Sequence, residues 1–256
     1  MLAIMRKEQI KNLILEKKSI SVIELAQYFS VSEETVRRDL KALEKEGFLE
    51  RTHGGAFLKK RVQSNIEVNV LEKLLVENKQ LIAKKCKELI LNGDSIFLDA
   101  STTTHHICNE IMDMNLTVLT NSLKVVNSLA EAENIKVILI GGGLDRSSMS
   151  FIGRTATQCL KGYYVDKAFI SCRSISIENG VTDSNEKQAE IRQLIIERSS
   201  KTYLVADATK FGKISFIKIS DFSNINGVIV DKQLPAEWYT YFKQRKIALY
   251  ECGADE

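Results

Sequence analysis

Seven short apolar runs follow residue 75 and constrain the fold more than any other feature of the chain. The runs are Ser95–Asp99, Leu116–Thr120, Lys136–Ile140, Lys167–Ser171, Thr202–Ala206, Gly227–Val230 and Ile247–Tyr250. Stretches with helical character separate most of them, among them Lys79–Leu91, Glu186–Ser199 and Pro235–Lys243. Apolar strands that alternate with helices form a mostly parallel sheet covered on both faces. The sequence therefore predicts a Rossmann-like α/β domain over residues 75–250.

The first 58 residues have a different organisation, which begins with three predicted helices. The first helix spans Arg6–Lys17, where the apolar residues form a narrow amphipathic stripe. Ser21 precedes the second helix as a plausible N-cap, and Ser32 opens the third helix. Gly47 follows the third helix and is predicted to end it. The two later helices are separated by a very short Ser-Val-Ser turn, as in a helix-turn-helix.

A predicted hairpin and a polar linker complete the N-terminal part. Residues 48–58 have apolar ends and Gly-Gly near the middle, a pattern typical of a small hairpin or wing. A polar stretch begins with Lys59-Lys60-Arg61. The sequence thus predicts a winged helix-turn-helix domain over residues 3–58, a linker over residues 59–74, and the α/β domain beyond it.

Positive charge is concentrated in the first quarter of the chain. Residues 1–62 hold 13 Lys and Arg against 9 Asp and Glu, a net charge of +4, whereas residues 63–256 have a net charge of −1. Such an asymmetry points to nucleic acid, although a solvated helix face produces the same excess. Charge alone therefore does not predict DNA binding, and the prediction depends on the pattern of the third helix.

Composition excludes several other classes of protein. No window holds the roughly 18 consecutive apolar residues of a membrane span, and the start of the chain lacks a signal-peptide pattern. We therefore expect a cytoplasmic protein. The five cysteines show no C-x-x-C spacing, and the three histidines add no metal-binding pattern. We expect neither a disulfide framework, a metal site nor a cofactor.

The third predicted helix has one apolar and one cationic face. At 100° per residue, Val36, Leu40 and Leu43 fall on one side. The cations of the remaining surface are Arg37, Arg38, Lys41 and Lys45. Such a face suits the major groove, where Arg and Lys meet phosphates or guanine and hydroxyl groups donate to phosphates. A solvated helix of an ordinary three-helix bundle is the alternative.

The residues at the start of this helix are the ones that approach the bases in a helix-turn-helix. The predicted DNA-binding residues are Ser32, Thr35, Arg37, Arg38 and Lys41, with Arg51 and His53 from the wing. Glu33 and Glu34 lie awkwardly near phosphate and either cap the helix or accept a hydrogen bond from cytosine. For His53, a contact with DNA and a structural hydrogen bond both remain open.

The stretch V-S-E-E-T-V-R-R-D-L from Val31, followed by H-G-G-A from His53, resembles the DeoR-type winged helix-turn-helix. The joint pattern is specific, although a single helix-turn-helix pattern is not. The resemblance implies that Thr35, Arg37 and Arg38 contact DNA. It also implies that Asp39 braces an arginine or the domain fold.

A loop of small hydroxyl residues follows the first strand of the predicted sheet. It consists of Ser101, Thr102, Thr103 and Thr104, and it leads from Asp99 into a helix. Free N–H groups of a first helical turn, together with the helix dipole, bind phosphate. Ligands of open α/β sheets lie at the carboxyl ends of strands. The sequence thus predicts an anion site here, with an ordinary N-cap run as the alternative.

Polar or glycine-rich segments follow other predicted strands. They are Thr-Asn-Ser at 120–122, Gly-Gly-Gly at 141–143, Asp-Ser-Asn-Glu-Lys at 183–187 and Asp-Ala-Thr-Lys-Phe-Gly at 207–212. Together they resemble the effector domain that accompanies DeoR-type heads and is similar to sugar-phosphate isomerases of the ribose-5-phosphate isomerase kind. This second resemblance covers roughly residues 75–232.

The resemblance implies that Ser101–Thr104 hold the phosphate of an effector. It implies that the pocket is lined by Asp99, Asn121, Gly142, Gly143, Asn185, Glu186, Lys187 and Lys210. Two departures concern the identity of the effector. Ser101 stands where family members often have glycine, and Ser-Cys-Arg-Ser at 171–174 replaces a more glycine-rich turn. Arg173 either contacts the ligand or forms a surface ion pair.

Three functions are compatible with these patterns. A sugar-phosphate isomerase needs a carboxylate base, for which Glu186, Glu190 and Asp207 are available, but the chain lacks a D-G-A-D-type signature before Gly180. A purely structural or protein-binding module leaves the basic helix unexplained. The sequence favours a DNA-binding repressor of a carbohydrate-utilisation operon. Such a repressor binds double-stranded operator DNA as a homo-oligomer and responds to a phosphorylated sugar.

Overall fold

The computed structural model describes residues 3–17, 19–46, 48–52, 54–58 and 75–253. The chain divides into two compact units, Met1–Leu75 and Val76–Glu256. The predicted linker over residues 59–74 lies outside the described residues, as do Gly47 and His53.

The N-terminal unit consists of three helices and a small antiparallel sheet. Its elements are α1 (Ala3–Lys17), β1 (Ser19–Ser21), α2 (Val22–Phe29), α3 (Glu33–Lys45), β2 (Leu49–Arg51) and β3 (Gly55–Leu58). The predicted N-cap Ser21 is confirmed, because its Oγ accepts from N of Glu24 at 3.1 Å. Ser32 opens α3 as predicted and is its N-cap, with its Oγ accepting from N of Thr35 at 3.3 Å. The predicted hairpin of the wing is confirmed as well.

Strand β1 was not predicted from the sequence. It pairs with β3, so the sheet order is β1-β3-β2. Gly55 permits this pairing, since a Cβ atom there would lie 2.4 Å from the carbonyl oxygen of Ile20. The second glycine of the H-G-G-A pattern therefore has a packing role, which lets the wing close against the segment before α2.

A buried ion pair joins α1 to α3 beside the apolar core of this unit. Val36 and Leu43 are fully buried from α3. Between them Asp39 is only 3% exposed, and its Oδ2 lies 2.6 Å from Nε of Arg6, which is 7% exposed. Asp39 thus braces an arginine, as the sequence resemblance implies.

The C-terminal unit is built on a seven-stranded sheet in the order β15-β14-β12-β9-β4-β5-β6, in which all pairs are parallel. Its strands are β4 (Ser95–Leu98), β5 (Leu116–Thr120), β6 (Ile135–Leu139), β9 (Val165–Ile170), β12 (Ser199–Ala206), β14 (Gly227–Val230) and β15 (Ala248–Glu251). Each of the seven predicted runs forms one of these strands.

Helices cover both faces of the sheet. They are α4 (Val76–Glu88), α5 (Thr102–His105), α6 (Ile107–Ile111), α7 (Leu123–Leu129), α8 (Arg154–Leu160), α9 (Glu186–Glu197) and α10 (Ala236–Gln244). Alternate strand residues point to opposite layers: Phe97 belongs to one apolar cluster and its neighbours Ile96 and Leu98 to another. Burial of each such side chain stabilises the fold by about 1.5–3 kcal/mol. The predicted α/β fold is confirmed.

Five short antiparallel strands were not predicted. Strands β7 (Gly143–Asp145) and β8 (Ser150–Ile152) form a hairpin, while β10 (Ser174–Ser176), β11 (Gly180–Asp183) and β13 (Ile217–Ser220) form a separate sheet. Their apolar patterns are too short to stand out in the sequence. They matter because both groups lie beside polar segments that follow the parallel strands.

We predict that Asp39→Ala lowers the free energy of unfolding of the N-terminal unit by about 3–5 kcal/mol, because it leaves the charge of Arg6 buried without its partner. Glu46→Ala is the matched control. Glu46 also joins α1 to α3, through Lys11 at 3.1 Å, but its side chain is half exposed. Its loss should cost less than about 1 kcal/mol. Amide hydrogen exchange of α3 measures both effects, and equal exchange rates in the two variants contradict the prediction.

Candidate nucleic-acid interface and effector site

The third helix separates its apolar and cationic residues as the sequence predicts. Val36, Leu40 and Leu43 are at most 1% exposed and pack in the core. The exposed cations of the helix are Arg37, Arg38, Lys41 and Lys45. Because the core fixes the opposite side of the helix, this cationic surface is held outward on a rigid support.

Two of the predicted DNA-binding arginines make ion pairs within the unit. Nη2 of Arg37 lies 3.0 Å from Oε2 of Glu33, one turn earlier in α3. Nε of Arg51 lies 2.7 Å from Oε2 of Glu44, and this hydrogen bond lowers the pKa of the Glu44 carboxyl. Arg51 thereby ties the start of the wing to α3. Glu33 thus pairs with an arginine of the basic face, whereas the N-cap of α3 is Ser32.

The N-cap of α3, Ser32, contacts the hydroxyl group of Thr35 in the first turn of the helix. Ser32 is exposed, Thr35 is half-buried, and their hydroxyl oxygens lie 3.0 Å apart. Both hydroxyls therefore lie at the N-terminal end of the helix, where residues of a helix-turn-helix approach DNA.

In the C-terminal unit, the loop after β4 is organised by the carboxylate of Asp99, which is 1% exposed. Oδ1 accepts from the backbone N of Ser101 at 3.0 Å and from Oγ1 of Thr104 at 2.9 Å. Oδ2 accepts from the backbone N of Ser171 at 2.9 Å, after β9. The carboxylate thus joins the ends of two adjacent strands.

Arg192 of α9 completes this network. Its Nε lies 2.7 Å from Oδ2 of Asp99, and its Nη1 lies 2.6 Å from Oδ2 of Asp183 at the end of β11. Oδ1 of Asp183 in turn accepts from the backbone N of Ser184 and Asn185. One buried guanidinium therefore fixes both the hydroxyl loop and the turn that enters α9.

The ionisation of these groups follows from their pairing. Burial raises the pKa of Asp99, but Arg192 and the amide of Ser171 outweigh it, so the pKa lies below its usual value. Burial also lowers the pKa of Arg192, yet the attraction of Asp99 and Asp183 raises it overall. Asp99 and Arg192 are therefore both ionised at neutral pH.

The four predicted hydroxyl residues have different surroundings. Ser101 is the N-cap of α5, since its Oγ accepts from N of Thr104 at 3.1 Å. Its φ of −88° needs no glycine, which explains why serine fits where family members often have glycine. Thr104 is fully buried and its hydroxyl is engaged by Asp99, whereas Thr102 is half-buried. Thr103 is 1% exposed.

Lys210 extends the site from the end of β12. Its Nζ lies 2.9 Å from Oγ of Ser171 and 3.8 Å from Oδ2 of Asp207. Burial raises the pKa of Asp207, but Lys210 and other neighbours reverse the shift and hold it below the usual value. Ser171 thus links Lys210 to Asp99, because its hydroxyl contacts Lys210 and its backbone amide donates to Asp99.

Asn121 and the triple glycine lie near the hairpin of β7 and β8. Asn121 is fully buried and its backbone carbonyl accepts from N of Phe151 at 2.8 Å. Gly142 has a φ of +143°, and a Cβ there would lie 2.8 Å from the carbonyl oxygen of Ile152. A glycine is thus required at 142, while Gly143 has more room.

The turn into α9 contains the remaining predicted residues. Asn185 is the N-cap, with its Oδ1 accepting from N of Gln188 at 3.2 Å. Glu186 and Lys187 are exposed. Arg173 is half-buried, and its backbone N donates to Thr182 at 3.0 Å. Burial lowers the pKa of its guanidinium, while Asp183 and Asp207 act in the opposite direction.

The predicted site residues did not include Arg192, Asp183, Ser171 or Gln188, although Asp183 and Ser171 lie in segments that the sequence singles out. Arg192 gives no local signal, because an arginine inside an amphipathic helix is usually exposed. Its partner Asp99 is 93 residues away in the chain. A signal was available for Asp183, which lies two residues before Asn185, the N-cap of a predicted helix.

Other chemistry receives no support from the described residues. They include no cluster of three or more His, Cys, Asp or Glu arranged for a metal ion. All five cysteines are free, and burial raises the pKa of Cys108 and of Cys172 to about 12. None of the described helices has the length and apolar character needed to cross a membrane.

Comparisons with known families match both units. Residues 6–62 match the DeoR-like helix-turn-helix domain, and residues 75–232 match the DeoR C terminal sensor domain. The chain belongs to the DeoR family. It is a DNA-binding transcriptional regulator with a sensor domain, and it is not an enzyme, so the prediction that set the isomerase aside is confirmed.

Several relatives of this DeoR-family regulator span nearly its whole length. An uncharacterized HTH-type transcriptional regulator, YulB of Bacillus subtilis, is 40% identical and covers 96% of both chains. A putative aga operon transcriptional repressor of Escherichia coli O157:H7 is 34% identical over 91% of this chain and 87% of its own. The L-fucose operon activator of Haemophilus influenzae is 34% identical over 94% and 97%.

Solved structures are more distant. A ribose 5-phosphate isomerase A from Methanocaldococcus jannaschii is 14% identical with a TM-score of 0.40, covering 53% of this chain and 54% of that one. An eIF2B delta from Chaetomium thermophilum is 14% identical with a TM-score of 0.44, covering 60% and 56%. These likenesses are too weak to assign a ligand or an activity.

We predict that Arg192→Met lowers the free energy of unfolding of the C-terminal unit by about 3–5 kcal/mol, because two carboxylates lose their buried partner. Urea unfolding followed by fluorescence of Trp238, the one tryptophan of the chain, measures it. Arg154→Met, at an exposed arginine of α8, is the control and should change the value by less than about 0.5 kcal/mol.

The same network predicts that the free energy of unfolding depends on pH with opposite sign in the wild type and in Arg192→Met. In the wild type, the pKa of Asp99 is lower in the folded than in the unfolded chain, so its contribution is present above about pH 4 and is lost as the pH falls through the folded value. In Arg192→Met the attraction of the guanidinium is lost, so we expect burial, the largest influence on this carboxyl, to raise its pKa above the unfolded value. The variant should therefore gain stability between pH 7 and pH 5, and a loss over that range contradicts the assignment.

Proposed function

We propose that this regulator represses a carbohydrate-utilisation operon and is released by a phosphorylated sugar. The observation that supports it best is the hydroxyl loop after β4, held by Asp99 and Arg192 at the carboxyl edge of the parallel sheet. The relatives named for the aga and L-fucose operons support a carbohydrate signal. One of them is a repressor and the other an activator, so the sign of control is our proposal.

The phosphate of the sugar binds at the start of α5 in this proposal. The first N–H groups of a helix have no carbonyl partner within it, which leaves the amides of Thr102 and Thr103 as donors. The hydroxyl of half-buried Thr102 adds a third donor. Asp99 and Thr104 are engaged with each other, so we assign them to shaping the loop and not to direct contact with the anion.

The remaining predicted residues form the proposed walls of the pocket. Lys210 supplies positive charge near the end of β9, and Ser101 and Asn121 lie at the ends of the adjacent strands β4 and β5. The further wall residues are Gly142, Gly143, Asn185, Glu186 and Lys187. Basic and amide groups that converge on strand ends suit a phosphorylated, hydroxyl-rich metabolite.

On the DNA side, we propose that α3 enters the major groove of operator DNA. Ser32, Thr35 and Lys41 contact phosphates, Arg37 and Arg38 contact base edges, and Arg51 contacts the backbone from the wing. A homo-oligomer presents two such helices to half-sites about one helical turn apart or a multiple of it. In this proposal the regulator acts in the cytoplasm, where it meets its operator DNA.

We predict that Thr102→Val weakens sugar-phosphate binding at least tenfold, because a phosphate loses a hydroxyl donor. Thr117→Val is the matched control, at a half-buried threonine of β5 near the opposite end of the strand. Thermal shift against pentose and hexose phosphates measures it, since a ligand at 100 times its Kd stabilises by about 2.7 kcal/mol. Equal ligand-induced shifts in the melting temperature of the two variants contradict the assignment of this loop to the effector site.

We predict that Arg38→Ala weakens binding to the chain's own promoter region by about 1–3 kcal/mol, as expected for loss of a base contact. Lys136→Ala, an exposed cation of β6, is the control and should leave the affinity unchanged. Fluorescence anisotropy at two salt concentrations measures both variants. A wild-type affinity for this DNA that does not depend on salt contradicts the proposed interface.

A further inference from the structure

One buried acceptor at the proposed effector site lacks a hydrogen-bond donor. Asn121 is fully buried, and its Oδ1 has no partner among the described residues. An unpaired buried amide oxygen destabilises a fold. Within the C-terminal unit as described, every other buried side-chain oxygen or nitrogen has a partner. Such an atom at a strand end beside a sensor loop indicates a group that awaits a ligand.

The orientation of this amide is fixed by two acceptors. Nδ2 of Asn121 lies 3.3 Å from the carbonyl oxygen of Phe151 and 3.4 Å from Oε1 of Gln188. The carbonyl can only accept a hydrogen bond, so the NH₂ group of Asn121 must face it. Oδ1 therefore points the other way.

A chain of hydroxyl groups gives Gln188 the matching orientation. Oγ of Ser148 lies 2.7 Å from Oδ2 of Asp145, and Oγ of Ser150 lies 2.7 Å from Oγ of Ser148. Because a carboxylate only accepts, Ser148 donates to Asp145, and Ser150 must then donate to Ser148. Neither hydroxyl has a proton left for Gln188.

Gln188 must therefore donate to the two serines. Its Nε2 lies 2.6 Å from Oγ of Ser150 and 3.0 Å from Oγ of Ser148. Its Oε1 is thereby turned towards Nδ2 of Asn121. The negative charge of the Asp145 carboxylate therefore sets the donor and the acceptor of each hydrogen bond in the series from Asp145 to Asn121.

Asp145 is ionised at neutral pH. Burial raises the pKa of its carboxyl, but hydrogen bonds from Ser148 and Ser147 outweigh it, so the pKa lies below its usual value. Lys187 also lowers it. At neutral pH the chain of bonds thus keeps one direction.

We propose that Oδ1 of Asn121 accepts a hydrogen bond from a hydroxyl group on the carbon skeleton of the effector. Gln188 is the positioning residue that holds this acceptor, with Ser150, Ser148 and Asp145 behind it. The proposal rests on the proposed function, because it assumes that a sugar phosphate occupies the strand ends. Ionised phosphate oxygens are acceptors, so Oδ1 selects for the sugar and not for its phosphate.

Solvent does not reach Oδ1. The segment 149–151 packs against the backbone of Asn121, because N of Leu123 donates to the carbonyl of Met149 at 2.9 Å and N of Phe151 donates to the carbonyl of Asn121 at 2.8 Å. A hydroxyl group therefore reaches Oδ1 only when the residues around it shift. Recognition of the sugar is thus coupled to a local rearrangement of the site.

The test measures binding of pentose and hexose phosphates, their monodeoxy analogues and inorganic phosphate to the full-length chain by calorimetry. For the wild type, we expect at least a tenfold preference for the hydroxyl sugar over the deoxy analogue at one carbon. Asn121→Leu should reduce this ratio to about one, and Gln188→Leu should reduce it several-fold. Asn127→Leu on α7 and Gln193→Leu on α9, both at exposed amides, are matched controls that should keep the ratio.

Each outcome decides between the two proposals. If no sugar phosphate binds, both this inference and the proposed function are wrong. If sugar phosphates bind and Asn121→Leu keeps the hydroxyl preference, or weakens inorganic phosphate to the same extent, this inference alone is wrong. If Asn121→Leu does not fold, Asn121→Ala removes Oδ1 without adding a branched apolar group and should lose the same preference.

Discussion

The sensor unit depends on one buried guanidinium. Arg192 binds Asp99 after β4 and Asp183 after β11, so elements that are distant in sequence converge on its side chain. Through Asp99 it also fixes Ser101 and the end of β9. Buried ion pairs add little to stability compared with apolar packing, but removal of one partner is costly. We infer that this network fixes the geometry of the hydroxyl loop before any ligand arrives.

The N-terminal unit uses the same device on a smaller scale. Arg6 and Asp39 join α1 to α3 inside the core, and the cationic surface of α3 faces outward as a result. In both units, buried charges position residues that we assign to recognition, such as Arg38 on the exposed face of α3 and half-buried Thr102 in the hydroxyl loop. A regulator of this kind responds to its effector only through a difference in affinity between its conformations.

The departures of this chain from the family pattern have structural reasons. Ser101 replaces glycine because it caps α5, and Ser171 places a backbone amide on Asp99 and a hydroxyl on Lys210. Neither change disturbs the sheet. Much of the fold was predictable from the sequence, as were several residues of the candidate site. The hydrogen bond between Asp99 and Thr104 leads us to assign these two residues to support of the loop and not to direct contact with the effector. That distinction required the directions of their side chains.

The sequence by itself determined the elements whose signals are local. The seven parallel strands, the caps Ser21 and Ser32 and the two faces of α3 follow from apolar spacing and from hydrogen bonds within a few residues. Tertiary structure alone decided the pairing of β1 with β3, the burial of Arg192 and the unpaired Oδ1 of Asn121. Each of these depends on atoms that lie far apart in the chain. Neither periodicity nor residue type specifies such contacts before the chain has folded.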